Sequence, residues 1–561
     1  MAAFADLPTE LVEQIVSYCH DQNALHSLTC TSKLLYSVTL PFLYRHVDLR
    51  VSPRGIPRVD SLFFEIRKKP ELANTIQSLR LGFTPDLKED MTPNLKRLPI
   101  PSSETRQKQL VQQSNQDPFD KLHYEPFLRD AIENRGYGPF ATILVLALPT
   151  LRYLDVATCD QFDQYHSSLS LKSLTHSVLS KPAHLFGDND FPACASIQEV
   201  SHNFDRTSGV RYARKAWHDN IQPFFRLPGV QKVELVIPNN GIFNPMRRHI
   251  MHTPREPGVL QNVTNLVLRH SSRAFHDLAN ILAHTPQLSS LTCEMWQDHS
   301  LLPQDDQGYL TEALALRSCL EMVRTTLKTL AVSVEYCNTS KPYYQQPNIL
   351  QTIRGDWSVL DLASFKKLEN LELPFPFVTG DLRFFVAGAF EPCLPPNLRH
   401  LCLRQDMSQA QFIYPLELSN RLDSTFAEMK KCEQWKNNSR MDLAYMFQTT
   451  LSLLDRANGL ESISVWQPAE PSLEWFDGQL QDFATTCKNK GVTGKVLYPQ
   501  ILRRKGAEHW NLIREKTVFD TAYPAHCPYD QLVRGENQHG IPLGLGCQYH
   551  MAKVQVYDVP L

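Results

Sequence analysis

Pro395-Pro396-Asn397-Leu398-Arg399-His400-Leu401-Cys402-Leu403 is the stretch whose reading decides the fold. Its last six residues follow the order aliphatic-x-x-aliphatic-x-aliphatic. In an extended chain Leu401 and Leu403 point to one face, and Cys402 and Arg404 to the other. The phrase recurs as Ile76-Leu79-Leu81, Leu151-Leu154-Val156, Val230-Val233-Leu235, Val263-Leu266-Leu268, Leu288-Leu291-Cys293, Leu327-Leu330-Val332, Leu368-Leu371-Leu373 and Leu460-Ile463-Val465. A weaker copy holds Ile197 and Val200. Pro149, Pro228, Pro286 and Pro396 each stand two residues before the first aliphatic, and Asn458-Gly459 takes that place in the last copy. Proline blocks helix continuation and sets the chain up for a strand.

Between the copies lie stretches of helical period. Ala274 to Ala283 puts Phe275, Leu278, Ala279 and Leu282 on one face, and Tyr309 to Val323 does the same with Leu310, Ala313, Leu314, Leu320 and Val323. Phe140 to Leu148 reads as a buried helix leading into a strand. Strand, loop, helix, loop is the unit of a leucine-rich repeat, whose regular period is about 20–29 residues. The spacings here run from 25 to 79, so the array is irregular and interrupted by insertions. The expected fold is α/β, an irregular solenoid over residues 51–498 with parallel strands on the concave face and helices outside. A polar, proline-containing insertion at about 85–120 reads as a disordered loop. Residues 499–561 read as an irregular cap.

Composition narrows the function. The 561 residues carry a formal net charge of −2, which gives no general reason for nucleic-acid or anionic-membrane binding. Thirteen scattered cysteines point to reduced, intracellular thiols rather than a disulfide framework. Asp6, Glu10 and Glu13 stand where a signal peptide needs a positive charge and an apolar run, so secretion is not expected. The aliphatic run Ile143 to Leu148 is far short of the roughly 20 residues that span a bilayer.

Residues 1–50 read differently from the rest. Leu7-Pro8-Thr9-Glu10-Leu11 opens a helix, with Pro8 in its first turn and Glu10 near the positive end of its dipole. Leu7, Leu11 and Ile15 form one apolar stripe and Val12 and Val16 a second. A second helix is expected from Asn23 through Leu25 and Leu28, and a third, after a cap at Thr31-Ser32-Lys33, through Leu34, Leu35, Val38, Leu40 and Leu43. So small a module cannot hide that much apolar surface internally.

The Leu-Pro-x-Glu-Leu opening, the spacing to Leu25 and Leu28, and the closing Leu43-Tyr44-Arg45-His46-Val47-Asp48-Leu49 run resemble the F-box of filamentous-fungal proteins. Many F-boxes outside fungi carry Trp where Tyr44 stands. The C-terminal parts of such fungal proteins are often degenerate leucine-rich repeats, which this chain also resembles. The resemblance implies a module that docks on a Skp-type adaptor and, through it, on a cullin–RING ubiquitin ligase. By match, Leu7, Pro8, Leu11, Ile15, Leu25 and Leu28 are the adaptor-binding residues. It further implies a non-catalytic substrate receptor, cytoplasmic or nuclear, with no cofactor, no nucleic acid and no membrane among its partners.

The strand positions that alternate with the core are Arg80, Asp155, Glu234, Arg269, Glu294, Glu335, Glu372, Arg404 and Trp466, and these are expected to be exposed. In a curved array they line an extended binding surface, so Arg269, Glu294, Glu335, Glu372, Arg404 and Trp466 are the candidates for holding a target protein. Trp466 is the expected anchor, because aromatic residues are enriched in hot spots.

Enzyme chemistry finds little support. No GxxxxGK[ST], HExxH, GxSxG or kinase signature is present. His526, Cys527, Cys547 and His550 have zinc-ligand chemistry, but two adjacent residues rarely reach one ion, so no metal is expected. Asp305-Asp306, Glu89-Asp90 and the Arg247 to His252 stretch read as solvated surface. The alternatives to a substrate receptor are an interaction scaffold outside any ligase and, last, an enzyme with an unrecognised site in the insertions.

Overall fold

The computed structural model describes residues 7–19, 21–51, 55–82, 137–158, 171, 174, 192–204, 227–236, 261–271, 274–298, 312–337, 359–385, 387, 393–411, 426–457, 459–468, 473–504, 509–525, 529–534 and 556–559. The chain divides into two compact units, Met1–Leu235 with Arg255–Val263, and Val236–Pro254 with Thr264–Leu561.

The first unit begins with helices α1 (Thr9–Ser17), α2 (Gln22–Thr29) and α3 (Lys33–Arg45). Asp21, not Asn23, caps α2, accepting a hydrogen bond from the Asn23 backbone N–H at 3.0 Å. Ser32 caps α3 by accepting from Leu35 N–H at 3.2 Å. Then follow β1 (His46–Asp48), α4 (Val59–Lys68), β2 (Ser78–Gly82), α5 (Tyr137–Leu146), β3 (Tyr153–Thr158), α6 (Pro192–Ser196), β4 (Glu199–Phe204) and β5 (Lys232–Val236). The strands pair in parallel in chain order from β1 to β5. Every residue of α5 is buried, as its largely apolar sequence requires, and the Thr142 hydroxyl inside it donates to the Gly138 carbonyl at 2.9 Å.

In the second unit come β6 (Asn265–Ser271), α7 (Ala274–Ala283), β7 (Ser290–Asp298), α8 (Glu312–Leu320), β8 (Thr329–Cys337), β9 (Asn370–Pro374) and α9 (Phe375–Thr379). They are followed by β10 (His400–Arg404), α10 (Phe426–Arg456), β11 (Ser462–Trp466), α11 (Asp477–Lys490) and β12 (Thr493–Arg504). Strands β6 to β12 pair in parallel in chain order. Strands β13 (His509–Phe519) and β14 (Tyr529–Arg534) extend the sheet antiparallel, and β15 (Val556–Val559) lies parallel to β12. The irregular cap expected over 499–561 is corrected on this point. Its boundary falls inside β12, and its described residues are largely sheet.

The repeated phrase builds the core in register. Leu79, Leu154, Val200 and Val233 face one another across four strands, and Leu266, Leu291, Leu330, Leu371, Leu401 and Ile463 across six, all of them buried. The lead-in prolines have a common reason. Pro149, Pro228, Pro286 and Pro396 each occupy the second position of a tight turn, whose fourth residue donates its N–H back to the first at 3.1–3.3 Å. Proline presets the backbone angle that this position needs. The turn's fourth residue is the first aliphatic of the phrase, so one feature ends the helix side and aims the strand.

Gly82 shows how tight the packing is. At φ +98°, a Cβ there would fall 1.7 Å from the Ala157 carbonyl oxygen on the neighbouring strand. The Gly82 N–H instead donates to the Tyr137 hydroxyl at 2.8 Å, which donates in turn to the Leu49 carbonyl at 2.8 Å.

The insertion at 85–120, the histidine–cysteine set of the tail, Asp305-Asp306, Glu89-Asp90 and the Arg247 to His252 stretch lie outside the described residues.

Candidate functional site

Two surfaces carry the residues singled out in the sequence. The first is the N-terminal module. Pro8 occupies the cap position of α1, and its carbonyl accepts from Leu11 N–H at 3.0 Å and Val12 N–H at 3.2 Å. Val12, Val16, Leu25 and Val38 close a small core, with Leu7, Cys19, Leu28, Leu34, Leu35, Phe42 and Leu43 packed partly against it. Of the two stripes on α1, the Val12–Val16 stripe is therefore spent on folding. The other is not: Leu11 is 46% exposed, Ile15 47% and Tyr18 72%.

This sorts the six candidate adaptor residues. Pro8, Leu11 and Ile15 are exposed on one side of α1, with Leu7 and Leu28 half-buried beside the core. Leu25 is 3% exposed and lies within that core, so it supports the helices rather than presenting itself to a partner. Tyr18 was not singled out, although its spacing of seven from Leu11 places it on the same face.

The second surface is the face of the sheet opposite the aliphatic core. The expectation that its side chains are exposed is corrected. Asp155, Glu234, Glu294, Arg404 and Trp466 are buried, and Glu372 is half-buried. Only Arg80, of the described side chains in the set, keeps substantial exposure. The side chains of Arg269 and Glu335 lie outside the described residues. The physical reason is lateral. Strands in a sheet stand about 4.8 Å apart, so long side chains in the same row cover and neutralise one another.

In the second unit this makes a closed cluster. Arg404, 2% exposed, donates from Nε to Asp406 Oδ2 at 2.7 Å and from Nη1 to Glu372 Oε1. Its guanidinium lies 5.0 Å from the centre of the Trp466 ring, whose Nε1–H donates to Glu372 Oε1 at 3.0 Å. Asp406 Oδ2 also accepts from the Val334 backbone N–H at 3.1 Å. Burial opposes the charge on Arg404, but Asp406 and Glu372 outweigh it and hold its pKa above the ordinary arginine value. Asp406 is the member that the sequence did not reveal, because it lies beyond the last residue of β10. Met407 beside it takes φ +70° while fully buried, a backbone strain that the packing maintains. The Arg404 cation is thus shared between two of the chain's own carboxylates.

In the first unit the corresponding row is Asp48, Arg80, Asp155, Ser201 and Glu234, paired strand by strand. Arg50 makes a forked contact with Asp48, at 2.9 Å from Nε to Oδ1. Burial pushes Asp155 up to about 7, with Arg50 and Arg80 pulling the other way and Glu234 and Asp48 adding to the rise. No group of three or more His, Cys, Asp or Glu side chains among the described residues is placed to hold a metal ion, and no described helix is long and apolar enough to cross a membrane. Cys19, Cys30, Cys194, Cys293, Cys319, Cys393, Cys402 and Cys487 are free thiols.

No protein-family model matches the chain, and no curated protein matches it by sequence.

Proposed function

We propose that this chain is the substrate-recognition subunit of a Skp–cullin–F-box ubiquitin ligase. The N-terminal three-helix module acts as the F-box and docks on the Skp-type adaptor. The stacked parallel strands act as an irregular leucine-rich-repeat domain that holds a target protein for ubiquitin transfer by the other subunits. The observation that carries this reading is the exposed Leu11–Ile15 face of α1, backed by a module core that is already complete without it. An apolar helix face left over after folding fits a partner that presents a hydrophobic groove.

The test is co-purification of the full chain with a purified Skp-type adaptor and cullin. The wild-type chain captures the adaptor and, through it, the cullin. The double substitution Leu11→Asp with Ile15→Asp loses adaptor capture, because buried interface anchors typically cost about 1 kcal/mol or more each on truncation and a buried unpaired charge costs more. A wild-type chain that captures no adaptor overturns the proposal. Capture of the adaptor without cullin points instead to a scaffold outside a ligase.

A further inference from the structure

We infer that a proton held between α10 and the turn that follows α9 keeps that turn closed, so that the turn opens as pH rises. The turn, residues 379–385, is organised by one carboxylate. Asp381 Oδ1 accepts from the Arg383 N–H and Oδ2 from the Phe385 N–H, both at 2.8 Å. Gly380 precedes it at φ +71°, and the Asp381 N–H donates to Thr379 Oγ1 at 3.2 Å. Phe384 then sits at φ +52° with its ring buried, edge-on to Tyr445 of α10 at 5.4 Å, while Phe385 is 82% exposed. A bulky residue at positive φ is strained, and it persists only while its surroundings over-determine it.

The proton belongs to Asp442. That carboxyl is buried on α10, and its Oδ2 accepts from the Gln409 N–H, beyond β10, at 2.7 Å. On the turn side the charged group that acts on it is Asp381, a second acid. Arg383 of the turn and Arg440 of α10 are exposed and pair with neither acid. Tyr445, beside Thr379, Asp381 and Thr449, is pushed above its ordinary pKa by burial and stays neutral. Two carboxylates that meet in a buried place without a cation resist ionising together. Burial pushes Asp442 from an ordinary 3.8 up to about 7, with the Gln409 N–H pulling the other way and Asp381 adding to the rise. Ionisation strengthens the Gln409 bond, because a charged acceptor is the stronger one, and sets the new charge against Asp381. The strain therefore falls on the turn. The proton's contribution to the closed turn is full below about pH 4 and is lost as pH rises through about 7.

The test is hydrogen exchange of the 379–385 amides in the full chain, corrected for the intrinsic pH dependence of exchange. Wild-type protection falls about tenfold from about pH 6 to about pH 8.5, as expected for a group that titrates at about 7 in the closed turn and at its ordinary value in the open one. Asp442→Asn keeps an acceptor for the Gln409 N–H and cannot ionise, so its protection changes by less than about twofold over that range. Asp381→Ala loses protection at every pH, because the turn's two amides lose their acceptor. Unchanged protection of β9 and β10 in each variant keeps the comparison on the turn. A wild-type turn whose protection does not respond to pH overturns the inference. So does an equal fall in Asp442→Asn, or protection retained in Asp381→Ala.

Discussion

On α1, Leu11 and Ile15 face solvent, while at the end of β10 a charged arginine, Arg404, does not. The two regions invert the usual assignment of apolar to inside and polar to outside, for reasons of geometry. Three short helices have little interior, and the module's core is full once Val12, Val16, Leu25 and Val38 have met. A strand in a long parallel ladder has neighbours on both sides at about 4.8 Å, so a charged side chain finds opposite charge and an aromatic face within reach. Exposure of an apolar residue on the module is thus informative, whereas charge on the sheet face says little about exposure. A leftover helix face asks for a partner. A neutralised cluster asks for none.

The largest test of this contrast is Arg404→Ala. It leaves Asp406 and Glu372 facing each other without their shared cation and strips the contact from the Trp466 ring. Breaking a buried ion pair from one side typically costs about 3–5 kcal/mol. The expected result is loss of amide hydrogen-exchange protection in β9, β10 and β11. Protection within a few tenths of a kcal/mol of wild type, on the order of the error in such contact arguments, would show that the cluster is not what holds this end of the sheet.

A smaller effect is expected from Asp155→Asn in the first unit. Burial raises Asp155 to about 7 from an ordinary value of 3.8. Between those two values the folded chain keeps a proton that the unfolded chain has lost. The proton's contribution to stability is therefore full below about pH 4 and is lost as pH rises through about 7. Protection of the β2, β3 and β4 amides should fall from pH 5 to pH 8 in the wild-type chain. With Asp155→Asn that fall should shrink, and the variant should be the better protected of the two at pH 8. Equal pH dependence in the two chains would mean that Arg50 and Arg80 already keep the carboxylate ionised.

The smallest effect completes the contrast. Leu11→Ser with Ile15→Ser should change the module's stability by no more than about 0.5 kcal/mol per site, as for other exposed positions. The measurement is hydrogen exchange of the α1 amides in the chain alone. A large destabilisation would place these residues in the fold's own core and remove the leftover face on which the docking argument rests.

Sequence alone determined the strands and where they begin. The aliphatic phrase has period two and its proline lead-ins have a fixed offset, and both are local features that need no distant partner to be read. Leu154, Leu266, Leu371 and Leu401 are buried in strands as that pattern requires. The helix over Ala274–Ala283 and the buried helix before Leu151 were legible for the same reason. Sequence also showed that the N-terminal module holds more apolar surface than it can bury. Helical periodicity did not show which stripe would be left over, since Leu11–Ile15 and Val12–Val16 have equal claims until α3 and Leu25 choose between them; only the F-box resemblance pointed to Leu11 and Ile15. Tertiary structure decided that choice, and it placed Asp406 of a strand-end loop against Arg404 and the Val334 amide, 72 residues away. It also turned part of the tail into antiparallel sheet and hid the charges expected at the surface. Each of these outcomes depends on what neighbouring strands and helices bring alongside, and side-chain order within one segment does not encode its neighbours.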